Sequence, residues 1–85
     1  MKVFYTHKAA NQLEKLPRAV QKRIAKKMRF YAREKGALKF AERLVRHHEG
    51  EFRFRIGDYR VVYSIDDKSH IVKILDLGHR KDIYR

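Results

Sequence analysis

The sequence predicts an α+β domain of order β-α-α-β-β-β, with a helical hairpin packed on one face of a mostly antiparallel sheet. Three observations lead there. Two stretches on either side of Pro17 repeat apolar residues at helical spacing. Phe52 to Tyr63 (FRFRIGDYRVVY) alternates apolar with charged or polar residues around Gly57-Asp58, as a hairpin does. Ile71 to Leu77 is a nearly continuous apolar run, as expected of a strand inside a sheet.

Taken in order, Met1 to Tyr5 (MKVFY) reads as a short strand. Thr6 can N-cap a helix that runs to about Leu16, with Ala10, Leu13 and Leu16 on one stripe. Pro17 stops that helix and suits the first turn of the next. The second helix spans Pro17 to Lys35, buries Val20, Ile24, Met28 and Tyr31, and ends at Gly36, where a C′ glycine belongs. Ala37 to Gly50 has apolar residues at Leu38, Phe40, Leu44 and Val45 but no clear period. In the hairpin, Gly57-Asp58 fits a two-residue type II′ turn, whose first position needs φ > 0. That turn sets Ile56 opposite Tyr59, Arg55 opposite Arg60 and Phe54 opposite Val61. Tyr59, Val61, Tyr63 and Ile65 share a face, Asp66-Asp67-Lys68 makes the next turn, and Gly78 is expected to break the last strand.

Length and charge narrow the function. Eighty-five residues form one small domain, residues 1–85, with a modest core. No apolar run is long enough to span a membrane, and MKVFYTHKAA lacks the apolar stretch of a signal peptide, so a soluble, cytoplasmic protein is expected. With no cysteine there is neither a disulfide framework nor a thiolate metal site. Lys and Arg number 22 against 10 acidic residues, a net charge of +12. Self-repulsion of that size suits a chain whose partner is polyanionic: nucleic acid, a ribosome or an acidic protein. The second helix adds to this with Lys22, Arg23, Lys26, Lys27, Arg29 and Arg33, either a solvated face or an electrostatic footprint on RNA.

The chemistry starts from the hairpin. If the helices cover Phe52, Phe54, Tyr59 and Val61, the opposite face carries Arg53, Arg55 and Arg60, and ordinary sheet twist makes it concave. A solvated outer face is the usual fate of charged strand residues. Like charges directly opposed destabilise a sheet, however, and a fold that sets Arg55 against Arg60 with Arg53 diagonal favours a bound anion. The tail after Gly78 leaves the last strand nearby, so Arg80 and Tyr84 can reach the same cleft. Guanidiniums clamp phosphate oxygens and stabilise charge developing on phosphorus. A phenol can act as general base or acid, and neighbouring cations favour its phenolate form. Spacing alone favours reading Tyr84 as a C-terminal anchor packed on the sheet. RNA supplies its own nucleophile in the 2′-OH, so scission by that route needs no metal. No HExxH, cysteine or carboxylate cluster at ligand spacing is present, and no cofactor is implied. His47-His48 would point apart on an extended chain and have no evident third ligand.

FRFRIGDYRVVYSIDD followed by KILDLGHRKDIYR resembles the RelE branch of the RelE/ParE toxin superfamily, small basic toxins of bacterial and archaeal toxin–antitoxin systems. The likeness covers nearly the whole chain and is most specific in G-D-Y-R-V-x-Y and the terminal G-H-R-x-x-x-Y. It implies a ribosome-dependent mRNA endonuclease that cleaves the A-site codon by in-line attack of the 2′-OH, leaving a 2′,3′-cyclic phosphate. Under that resemblance Tyr84 matches the general base and Arg80 the group that protonates or stabilises the leaving oxygen. Arg60 matches the arginine on the scissile phosphate. Arg53 and Arg55 stand where the best-known members have lysines, which preserves charge but not proton transfer, because arginine stays protonated. Other branches use a glutamate before the hairpin and a histidine near the C-terminus, which makes Glu42 and His79 second candidates. The resemblance further implies a cognate antitoxin whose acidic segment wraps the toxin, a monomeric free toxin, and the mRNA-loaded ribosome as target. Two alternatives share the fold or the charge: a ParE-like gyrase poison and a non-catalytic RNA- or ribosome-binding module.

Overall fold

A computed structural model describes residues 2–33, 42–43, 51–66, 68–79 and 81, and the side chains of all these except 42, 43 and 54. Strand β1 (Lys2–Tyr5) leads into helix α1 (His7–Glu14) and helix α2 (Arg18–Arg33). Strands β2 (Glu42–Arg43), β3 (Glu51–Ile56), β4 (Tyr59–Asp66) and β5 (Ile71–His79) follow. The five strands form one sheet in the order β1-β5-β4-β3-β2. The β1–β5 pair is parallel and the others are antiparallel, so the sheet is mixed but mostly antiparallel, as expected. None of the described helices is long and apolar enough to cross a membrane.

Thr6 caps α1 as its position predicts: its Oγ1 accepts from the Ala9 N–H at 3.1 Å, while its own N–H donates to Ile74 O of β5 at 3.0 Å. The buried residue of α1 is Ala9, with Leu13 and Leu16 packed at the edge of the core; Ala10, expected on the stripe, is only half-buried. Pro17 accepts the first bonds of α2 through its carbonyl, from Val20 N at 2.9 Å and Gln21 N at 3.0 Å. The Gln21 amide in turn donates to Leu16 O at 2.9 Å and Glu14 O at 3.3 Å, satisfying carbonyls that the end of α1 leaves open. Helix α2 buries Ile24, Met28 and Ala32, with Val20 and Tyr31 alongside. Gly36 and Lys35, expected at its end, lie outside the described residues.

These helical residues meet Ile56, Val61, Tyr63, Val72, Ile74 and Leu77 from one face of the sheet, and that contact is the core. Phe52 stacks on its cross-strand partner Tyr63 with ring centroids 5.6 Å apart. Burial pushes the Tyr63 phenol up to about 12, and neighbouring Tyr31 adds to the rise. Burial likewise raises Tyr5, against the opposing charge of Arg29.

The last strand differs from expectation in two ways. It does not stop at Gly78 but runs on to His79, because β4 supplies a full ladder there: Arg60 pairs with Gly78 and Tyr59 with His79. A glycine weakens a strand by giving it nothing to pack, but it keeps its N–H and carbonyl for the ladder. The apolar run is also not a strand buried evenly on both sides. Val62 pairs with Asp76 and Tyr63 with Ile74, so Leu75 is an extra residue, a bulge. Ile74 and Leu77 thereby share the core face although they are three residues apart, while Lys73 stays exposed. The turn before β5 comes later than the Asp66-Asp67-Lys68 reading. Asp66 ends β4, its Oδ1 accepts from Lys68 N at 3.0 Å and Ser69 N at 3.2 Å, and His70 takes φ +55°. Those two N–H donors, Ser69 foremost, hold the Asp66 carboxyl below its ordinary range. A fifth strand, β2, lies within the stretch whose period was unreadable.

Candidate functional site

The site is built on the hairpin. Gly57 takes φ +58° and Asp58 does not share it, the II′ pattern that the sequence calls for. The register follows: Ile56 faces Tyr59, Arg55 faces Arg60, Phe54 faces Val61 and Arg53 faces Val62. Since opposed residues in an antiparallel pair project to the same side, Arg53, Arg55, Arg60 and Val62 all occupy the face away from the helices. Arg55 is exposed, whereas Arg53 and Arg60 are half-buried with their Nε atoms out of contact with water. Val62, directly opposite Arg53 and two residues from Arg60 on the same strand, is 9% exposed.

Across three strands the open face is ordered in two rows. One reads Arg55, Arg60, Gly78; the next reads Arg53, Val62, Asp76. Arg60 therefore has a guanidinium neighbour on β3 and, on β5, the buried backbone of Gly78, which presents no side chain. A strand glycine can mark a bulge, a bend or a close approach of a ligand or another backbone. The carboxylate of Asp76 is drawn toward α1, where Gln12 Nε2 donates to it at 2.6 Å and Lys8 Nζ lies 3.5 Å away. Gln12 also accepts from Leu77 N at 2.9 Å, so one side-chain amide continues on β5 the pairing that β1 leaves after Tyr5. Asp76, Gly78 and Gln12 were not singled out by sequence reasoning. For Gly78 a signal existed, a lone glycine inside an apolar strand, which reads as a close approach as well as a break.

The remaining candidates divide. Tyr59, the cross-strand partner of His79, meets its ring edge-on at 5.7 Å, and His79 Nδ1 accepts from Lys81 N at 3.2 Å. The imidazole thus sits on the Tyr59–Val61 face, across the sheet from Arg60. Glu42 lies in β2 with its backbone in register with Arg53. Arg80, Tyr84 and His47-His48 lie outside the described residues. Lys22, Arg23, Lys26, Lys27, Arg29 and Arg33 are all exposed on α2. Five of them line two grooves: Arg23, Lys26 and Lys27 with Phe30 and Ile56, and Arg29 and Arg33 with Lys2, Val3 and Ala32.

Comparison with known proteins decides the family. Residues 3–84 match the model of the ParE toxin of type II toxin–antitoxin systems, parDE. The chain belongs to the RelE/ParE family of type II toxins. Among its relatives, Toxin RelG of Mycobacterium tuberculosis is 36% identical over 83 residues, 98% of this chain and 94% of that protein. The toxin–antitoxin complex RelBE2 of the same organism contains a chain 32% identical with a TM-score of 0.74, covering 93% of this toxin and 96% of its relative. A chain of the intact E. coli RelBE toxin–antitoxin complex has a TM-score of 0.76 at 18% identity, over 92% of this toxin and 94% of that chain, a likeness of fold. Helices on one face of a mostly antiparallel sheet is thus the architecture that this toxin shares with RelE structures.

Proposed function

We propose that this toxin is a ribosome-dependent endoribonuclease that cuts translated mRNA in the A site by attack of a 2′-OH on the adjacent phosphate. One observation carries the reading: the row Arg55–Arg60–Gly78, two opposed guanidiniums beside a strand position with no side chain. A phosphate seated there receives charge-assisted bonds from Arg60 and field from Arg55 and Arg53. In the scheme Tyr84 takes the proton from the 2′-OH and Arg80 stabilises the leaving 5′-oxygen, roles that rest on the terminal G-H-R-x-x-x-Y. Arg53 and Arg55 stabilise charge and transfer no proton. No step calls for a metal ion. His79, turned to Tyr59, and Glu42, paired through its backbone to Arg53, are left outside the proton transfers.

The proposed partners are an antitoxin with an acidic segment and the mRNA-loaded ribosome, met in the cytoplasm by a monomeric toxin. Relatives solved as toxin–antitoxin complexes support the first, and the exposed cations of α2 support contact with RNA. A second reading is favoured by the family model, described as a ParE toxin: a gyrase poison with no nuclease chemistry. Mapping transcript ends on translated mRNA after induction separates the two. In-frame cuts inside open reading frames are the expected result. DNA damage with intact mRNA establishes the poison instead, and ribosome stalling with neither leaves a non-catalytic binder.

A further inference from the structure

Arg23, Lys26, Lys27 and Phe30 stand at positions i, i+3, i+4 and i+7 of α2, one stripe of the helix. With Ile56 of β3 they line a groove of about 340 Å³, within the size range of small-ligand clefts. Like charges at these spacings destabilise a helix. No ion pair to another described residue relieves Arg23, Lys26 or Lys27; the salt bridge among the described residues joins Lys8 to Asp76. Within this cationic stripe Phe30 is 47% exposed. Its ring is not loose: it lies 5.8 Å from the ring of half-buried Tyr31 in a T-shaped pair, the planes at 68°. The stripe thus offers an aromatic plane ringed by cations.

We propose that this groove is a second RNA site, which holds one unpaired nucleotide with its base stacked on Phe30 and its phosphates on Arg23, Lys26 and Lys27. Aromatic planes beside cationic tracks are how proteins hold single-stranded nucleic acid without reading its sequence. A docked protein helix would need a run of apolar anchors at i, i+3/i+4 and i+7. Here Phe30 is isolated: the other large apolar side chain left exposed among the described residues is Phe4, on β1. Position joins the groove to the open face. Arg23 Nη2 comes within 3.7 Å of where a side chain at Gly57 would begin, so the groove reaches the tip of the hairpin. Arg55 and Arg60 stand beside the same tip on the other side. One strand passing over the Gly57-Asp58 turn can place a phosphate in the arginine row and a base against Phe30. The inference rests on RNA as the target of this toxin.

The test uses the full chain and a short single-stranded RNA, 2′-O-methylated throughout, that carries 2-aminopurine, whose fluorescence is quenched by stacking. Methylation removes the attacking hydroxyl, so binding is read whether or not the toxin cuts. Phe30→Ala is expected to abolish the quenching and weaken binding roughly 5- to 150-fold, the range of one base–aromatic stack. Phe30→Trp restores both. Lys26→Ala with Lys27→Ala is expected to keep the quenching at saturation but flatten the salt dependence by roughly 0.7 for each phosphate no longer neutralised. Unchanged quenching and affinity in Phe30→Ala overturn the proposal. So does a Phe30→Ala toxin that binds RNA normally but loses affinity for its antitoxin, which makes the groove a protein-docking site. If wild-type toxin stacks the base on Phe30 yet cuts no mRNA, the nuclease reading falls and this site stands.

Discussion

Replacing Arg55 by glutamine keeps a polar side chain on the open face and removes one of the two charges that the register sets opposite each other. Directly paired strand residues have Cβ atoms ~4.5–5.5 Å apart, and splayed guanidinium heads lie at roughly 7 Å. Two unit charges at about 7 Å repel by ~0.6 kcal/mol in water and ~2.4 kcal/mol at an effective dielectric of 20. Arg55 is exposed, so the lower end of that range applies, ~0.5–1 kcal/mol. For a domain of this size that is a rise in Tm of about 2–8 °C. Melting curves of wild-type and Arg55→Gln toxin at low salt measure it directly. The gain should shrink sharply at about 1 M NaCl, where the screening length falls to about 3 Å. Millimolar phosphate should raise the wild-type Tm more than that of the variant, since an anion bound by the native state stabilises it. Glutamine melting at or below wild type in low salt would refute the reasoning. Arg55 would then not be held against repulsion, and its place opposite Arg60 would need no anion to explain it.

Arg60→Ala should lower mRNA cleavage by roughly 10²–10³-fold, the loss typical of one preorganised electrostatic donor, with the circular dichroism spectrum unchanged. Single-turnover cleavage on programmed ribosomes reads it, and wild-type rates in the variant would remove Arg60 from the site. Thr6→Ala removes the cap bond to Ala9 N and should destabilise the fold by about 1 kcal/mol in urea titrations, with Thr6→Ser largely restoring it. The Tyr63 phenol titrates near 12 in the folded chain against 10 when unfolded. Its contribution is therefore complete below about pH 10 and lost as pH rises toward about 12, because the unfolded chain gives up that proton first. Tyr63→Phe should flatten the fall of stability across that window, and parallel alkaline unfolding curves for the two proteins would contradict the assignment.

The hairpin was legible in the sequence to the residue. Period-2 alternation fixes the face of each side chain, and Gly57-Asp58 fixes the register, so Arg55 against Arg60 follows from text alone. Thr6 and Pro17 likewise mark the helices through properties of their own, a hydroxyl acceptor and a missing N–H. The bulge at Leu75 was hidden because an apolar run carries no alternation to interrupt. Its effect reaches the site: strict alternation from Ile74 would put Leu77 and His79 on the arginine face, and one extra residue turns both to the core side. Strand β2 is two residues long at the edge of the sheet and owes its existence to Arg53 and Phe52 across from it, not to a pattern of its own. Phe30 went unremarked because it falls off the buried stripe, next to Tyr31, and only exposure distinguishes it from an ordinary helix aromatic.

The parallel pairing of β1 with β5 also governs when the domain can exist. Lys2 finds Ile71 and Tyr5 finds Ile74, so β1 waits for β5. Contacts between such distant parts of a chain fold slowly, because the loop must close before the contact rewards it. Val72, Ile74 and Leu77 arrive with β5 and join the core beneath the helices. A nascent chain that has not yet emerged past Ile71 therefore has only Ile56, Val61 and Tyr63 of the sheet's buried side chains to set against its helices. A chain interrupted before β5 lacks both the partner of β1 and part of its core, so folding waits for that strand.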